Sequence, residues 1–217
     1  MAQTRNYIIS DTETTGLNPE NGAEVVQIAA QAINAWDLED HHAGKFSILI
    51  RPENPDKAHP DAIKLIKPTY EKALAVGVSP KIAYQKYYEW VESVNDEKNV
   101  FTRPIYVGHN EPFDLKFFKY YMKKYNIVKS EDDLPWAPHI QLDTMDMFFV
   151  LFENDPAIKN FKLDTMASTL GMQRAGNTHD AVEDVAITTQ AFRRQMLYFR
   201  ECRKRMSIRG TKNDSPR

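Results

Sequence analysis

Three apolar stretches, residues 7–10, 25–33 and 46–50, follow one another with short polar connections and no helical pattern between them. That spacing most constrains the fold, because successive strands joined by short turns pair as an antiparallel meander. Gly16 and Asn18-Pro19 mark the first turn, and Pro52 stops the third strand. The pattern then changes to helical spacing. Ala62, Ile63, Leu65 and Ile66 recur at helical intervals, Thr69 is placed as the cap of a helix over residues 70–75, and Ser79-Pro80 opens a longer helix to about Val94. Residues 104–107 read as a fourth strand, broken by 108–110, and a helix follows from Pro112 to about Tyr125. Residues 127–139 are polar and proline-bearing and read as a loop. Residues 140–152 read as a strand end or turn with a helix after it, residues 163–170 as a short helix closed by Gly171, and 180–205 as a long final helix. A meander followed by helices alternating with further strand makes an α/β or α+β chain with a mixed sheet flanked by helices.

The chain of 217 residues fits one domain over residues 1–206, with the polar residues 207–217 expected to be a flexible tail. Cys202 is the sole cysteine, so no intramolecular disulfide is possible, and a reducing, cytoplasmic setting is expected. No signal-peptide pattern or membrane-length apolar run is present. The net charge of −2 is not that of a protein that coats nucleic acid, although residues 193–205 hold six Arg or Lys against one Glu. That stretch reads either as a phosphate contact or as a solvated helix end where cations are favoured.

Three segments carry possible chemistry. Asp11 and Glu13 end the first strand two residues apart, so both carboxylates lie on one face. Alone, an Asp-x-Glu pair is an acidic loop start or a cap. Asp114 falls in the first turn of a helix, where the dipole favours a carboxylate. His179 and Asp184 open the last helix. On a continuous helix they would stand about 140° apart, whereas a histidine preceding the first turn can swing over a site into which Asp184 points.

In combination, Asp11-Thr12-Glu13-Thr14-Thr15-Gly16, Asn110-Glu111-Pro112-Phe113-Asp114 and His179 through Asp184 resemble the three motifs of the DEDDh 3′→5′ exonucleases. Gly77-Val78-Ser79-Pro80 and Phe161-Lys162-Leu163-Asp164-Thr165 are similar to that family too, and the resemblance covers about residues 5–195. A sister branch carries Tyr-x3-Asp as its third motif, but position 180 is Asp here, so the histidine branch matches. Asp180 and Glu183 then read as extra acids on a solvated face. The resemblance implies a ribonuclease H-like fold and two divalent cations, Mg²⁺ or Mn²⁺, held by Asp11, Glu13, Asp114 and Asp184. Asp11 would bridge the two, and His179 would take a proton from the attacking water. It further implies that Thr14, Thr15 and Leu17 (through backbone N–H groups and an apolar wedge) and Asn110 and Phe113 meet a nucleic-acid 3′ end, with Phe113 equally readable as core.

Single-stranded DNA is the expected substrate and a polymerase or other nucleic-acid-processing protein a possible partner, with no membrane role. RNA 3′-end trimming is the alternative within the family. A non-catalytic binding module is the alternative outside it, disfavoured because all four acids and the histidine are present. A P-loop enzyme is excluded by the absence of Gly-x4-Gly-Lys-Ser/Thr.

Overall fold

The computed structural model describes residues 5–173 and 179–206. Five strands form one sheet: β1 (Tyr7–Thr14), β2 (Val25–Ile33), β3 (Asp40–Leu49), β4 (Ile105–Gly108) and β5 (Gln141–Asp143). Their spatial order is β3-β2-β1-β4-β5. β1–β2 and β2–β3 are antiparallel, whereas β1–β4 and β4–β5 are parallel. The expected mixed sheet, a meander extended by parallel strands, is therefore present. Seven helices accompany it among the described residues: α1 (Pro60–Leu65), α2 (Lys67–Val76), α3 (Pro80–Ser93), α4 (Glu111–Lys124), α5 (Thr144–Phe152), α6 (Leu163–Thr169) and α7 (Ala181–Arg205). None is long and apolar enough to cross a membrane.

β1 lies in the middle of the sheet and is covered on both sides, which is why residues 7–9 are uniformly apolar. Strand alternation divides its side chains between two cores. Tyr7 and Ile9 pack with Val107 and with Ala181, Val185 and Phe192 of α7, and Tyr7 meets the Phe192 ring edge-on at 5.0 Å. Ile8 faces the other way, into a core built from Tyr84 and Tyr87 of α3, Phe117 and Phe118 of α4, and Trp136. There Phe118 stacks on Tyr87 at 4.7 Å and meets Trp136 edge-on at 5.8 Å.

Several boundaries differ from the sequence expectation. β1 runs on to Thr14, so Asp11 and Glu13 lie within a strand paired to β2. β3 begins at Asp40, six residues before its apolar portion. It is an edge strand with half-exposed side chains, so its first part has no hydrophobic signature. Thr69 is not a cap: α2 begins at Lys67, and Thr69 is buried inside its first turn. The segment 127–139 is largely irregular as expected, yet it is pinned, because Leu134 and Trp136 are fully buried. The tail 207–217 lies outside the described residues.

Phe118 is the ring most surrounded by other rings. Phe118→Ala is expected to cost about 4 kcal/mol in urea unfolding, the usual range for a fully buried aromatic. A loss under about 1 kcal/mol would show that this core does not hold α3 and α4 to the sheet.

Candidate active site

The site begins where β1 outruns β4. Pairing between them stops at Ile9↔Val107, whereas β1 continues beside β2 to Thr14. Beyond Ile9 the β4-facing edge of β1 is open at the carboxyl ends of two parallel strands, where the chain leaves in opposite directions. Open α/β sheets bind their ligands at such a place. The Thr12 N–H on that edge is taken by the Asp114 carboxylate at 3.0 Å, and Thr12 Oγ1 donates to the same Oδ1 at 2.5 Å. A side chain from α4 thus replaces the missing strand partner.

Asp11 and Glu13 project to the α7 face of β1, opposite to Thr12. Asp184, in the first turn of α7, meets them there: carboxylate oxygens of Asp11, Glu13 and Asp184 all lie within 4.8 Å of one another. Glu13 and Asp184 are buried and Asp11 half-buried. Asp114 approaches from the α4 face and is not part of that trio, but it lines the same cavity. The cavity, of about 470 Å³, is also bounded by His109, Asn110, Phe113, Lys162 and His179. All five residues expected to be catalytic therefore border one space. Burial pushes the Asp114 carboxyl up to about 7, against the opposing effect of its two bonds from Thr12.

His179 is exposed and precedes α7, whose cap is Asp180, so the helix does not fix the angle between His179 and Asp184. Its backbone is left-handed, with φ 61°. That conformation is uncommon for a residue with a side chain and costs free energy of order 1 kcal/mol. Asp180 does more than face solvent: its carboxylate accepts the Val182 N–H at 3.0 Å.

Of the residues expected to meet substrate, Leu17 is the most open, at 78% exposure. The Thr14 and Thr15 hydroxyls are occupied inside the loop, by Gly16 O at 2.8 Å and the Glu24 N–H at 2.8 Å. The Thr15 N–H is also given to Glu24 O. Asn110 is left-handed, with φ 63°, and its side chain does not cap α4. Phe113 is half-buried on the cavity rim with Lys116 Nζ 4.4 Å from its ring centre.

Four supporting residues carry no signal of their role in the sequence. Gln27, directly across from Glu13 in β2, accepts the Ala181 N–H at 3.1 Å and so hangs the start of α7 beside the acids. Asp143 accepts N–H groups from Asn110, Glu111 and Met145, which caps α5 and fixes the entry to α4. His109 sits against Thr144 Oγ1 at 3.0 Å, and burial holds its imidazole below the usual range. Lys162 brings a cation to the cavity wall. Gln27 and Asp143 act on backbone groups brought close only by folding, which leaves no local pattern to read.

The basic stretch of α7 is largely committed within the molecule. Arg193 binds Leu38 O and Asp40, Arg194 binds Leu170 O, and Arg200 binds Trp36 O and Ala35 O. These arginines fasten loops to α7, so the phosphate-contact reading fails for them. A second group, His41, His42 and Asp96, also clusters. His41 Nδ1 accepts the Ala43 N–H at 3.1 Å, and its Nε2 lies 3.1 Å from Asp96. Both ring nitrogens of His41 are thus engaged within the fold.

Comparison with known proteins agrees with this geometry. The family model RNase_T, described as exonuclease, matches residues 8–192. The "DNA polymerase III subunit epsilon-like protein" of Rhodobacter capsulatus is 30% identical over 193 residues, covering 87% of this chain and 23% of that protein. The "3'-5' exonuclease DinG" of Bacillus subtilis is 26% identical over 189 residues, covering 87% of this chain and 17% of that protein. The chain thus spans less than a quarter of the length of either relative. Among solved structures, the nuclease domain of 3'hExo, a DEDDh family member bound to rAMP, superposes with a TM-score of 0.67 at 17% identity, covering 91% of this chain and 94% of that one. The matched model runs from the strand that carries the first two acids through the helix that carries the last, and the chain belongs to the RNase_T exonuclease family.

Proposed function

We propose that this chain is a metal-dependent 3′→5′ exonuclease that releases nucleoside 5′-monophosphates from the 3′ end of single-stranded DNA. The observation that carries this reading is the convergence of the Asp11, Glu13 and Asp184 oxygens within 4.8 Å, in a cavity bordered by Asp114 and His179. A donor set made only of carboxylate oxygens fits hard cations such as Mg²⁺ or Mn²⁺, whereas a site for a softer metal would offer sulfur or imidazole. Asp11, Glu13 and Asp184 would hold the ions, with Asp114 joining them directly or through water. Two divalent cations there would supply Lewis-acid polarisation and neutralise the charge developing on the phosphate.

The chain's own groups do the rest. His179, ahead of the helix and open to solvent, accepts the proton of the attacking water and passes it to bulk. The water oxygen bonds to phosphorus, the bond to the 3′-oxygen of the penultimate nucleotide breaks, and that oxygen takes up a proton from bulk water as it leaves. Leu17 packs against the terminal base, and Asn110 and Phe113 bound the sugar side. A cavity of about 470 Å³ is of the size that takes a small ligand, which favours a frayed single strand over a duplex. RNA is the second reading, kept by the rAMP bound to the solved 3'hExo domain. The relative named as epsilon-like to a polymerase subunit makes a polymerase the natural partner to test.

Asp11→Ala is expected to slow hydrolysis of a 3′-labelled strand at least ~10³-fold, about 4 kcal/mol of barrier, with the fold kept. Turnover near the wild-type rate would remove the acids from the chemistry. His179→Ala is expected to lose roughly 10²–10⁴-fold in the chemical step while binding cations normally. Mg²⁺ at a hundred times its Kd should stabilise the protein by about 2.7 kcal/mol, and Asp184→Asn should abolish that increment. An equal rise in Tm for both proteins would place the ions elsewhere. A closed single-stranded circle should survive intact, and its cleavage would contradict a mechanism that needs a terminus.

A further inference from the structure

α4 leaves the catalytic cavity carrying its acids only in the first turn, Glu111 and Asp114. From there on its charged residues are all lysines: 116, 119, 123 and 124. Lysines 123 and 124 are accounted for by the favourable interaction of cations with a helix C-terminus, but 116 and 119 lie mid-helix, where that effect has faded. Lys116, Lys119, Tyr120 and Lys123 fall at helical spacing on one face. They line a cleft of about 300 Å³, closed by Glu20 and by Val128, Ser130, Glu131 and Leu134. Tyr120 is 37% exposed, and Lys119 is paired with Glu131 at 2.8 Å. The cleft adjoins the catalytic cavity: Lys116 Nζ stands 4.4 Å from the centre of the Phe113 ring, and Phe113 lines that cavity.

We infer that this cleft is the track for the single strand on the 5′ side of the bond being cut, with Lys116, Lys119 and Lys123 on successive phosphates and Tyr120 under a base. The inference rests on the exonuclease reading for its direction, but its chemistry is independent: cations along a groove with an exposed aromatic ring are what a single strand requires. From Phe113 to Lys123 the helix rises about 15 Å, enough to follow more than one nucleotide. Lys119 exchanges Glu131 for a phosphate as the strand arrives. Because the contacts go to phosphates and to a base face, the track holds strands of any sequence.

The test is equilibrium binding of a 5′-fluorescein-labelled oligothymidylate in EDTA, read by anisotropy over a salt series. The triple variant Lys116→Ala/Lys119→Ala/Lys123→Ala is expected to bind about tenfold more weakly near 0.1 M salt. Its slope of log Kd against log salt should be lower by about 2, since each lost phosphate contact removes about 0.7. The matching Lys→Arg triple should stay within about twofold of wild type, because the charges remain. An alanine triple with unchanged Kd and slope overturns the track, and so does an arginine triple as weak as the alanine one. Hydrolysis of the p-nitrophenyl ester of thymidine 5′-monophosphate by the wild-type protein with Mg²⁺ reports on the catalytic reading alone. Failure of that reaction sinks the nuclease assignment and leaves the track to stand or fall by the binding series.

Discussion

Everything at this site depends on three carboxylates being held where they repel one another. Asp11 and Glu13 are committed to one side of β1 by strand geometry, and Asp184 is brought to them by a helix that β2 and β1 hold in place. Like charges this close favour whatever shares them, a proton or a cation. The surrounding fold supplies the restraint. Tyr7 and Ile9 bury against Ala181, Val185 and Phe192, and Gln27 takes the first N–H of α7. The hydrophobic contact fixes how near α7 lies, and the hydrogen bond fixes where along β1 its first turn falls.

Asp114 has a different physical situation from the other three acids. It reaches the cavity over the open edge of β1, and its Oδ1 completes the hydrogen bonding of Thr12. One carboxylate therefore serves both as the substitute for a strand and as a wall of the site. Burial disfavours its anion while the two donors favour it, and burial prevails. The acids so divide into a mutually repelling set on the α7 face and a single hydrogen-bonded member on the α4 face.

The sequence disclosed the parts whose signals are local. The buried strand 7–10, the meander, the helix from Pro112 and the three acid-bearing segments could all be read from apolar spacing, turn residues and motif order. What it concealed has common physical causes. β3 begins on polar residues because an edge strand needs no buried face, and β1 extends through Thr14 because pairing with β2 does not require apolar side chains. Gln27 and Asp143 work on backbone groups that are remote or turned by a loop. The arginines of α7 read either as a phosphate contact or as a solvated helix end, because charge alone does not reveal its partner. In the fold, Arg193 and Arg200 are bonded to the carbonyls of residues 35, 36 and 38.

The cavity is assembled from β1, from the start of α4 and from the start of α7, which come from the beginning, middle and end of the matched segment. No contiguous portion of the chain contains all three members of the Asp11, Glu13 and Asp184 cluster. Apart from α7, the chain supplies two acids on β1 and one bonded to Thr12, and Asp184 completes the group from across the gap. Docking of α7 is thus the step that brings the third acid of the cluster to the two on β1.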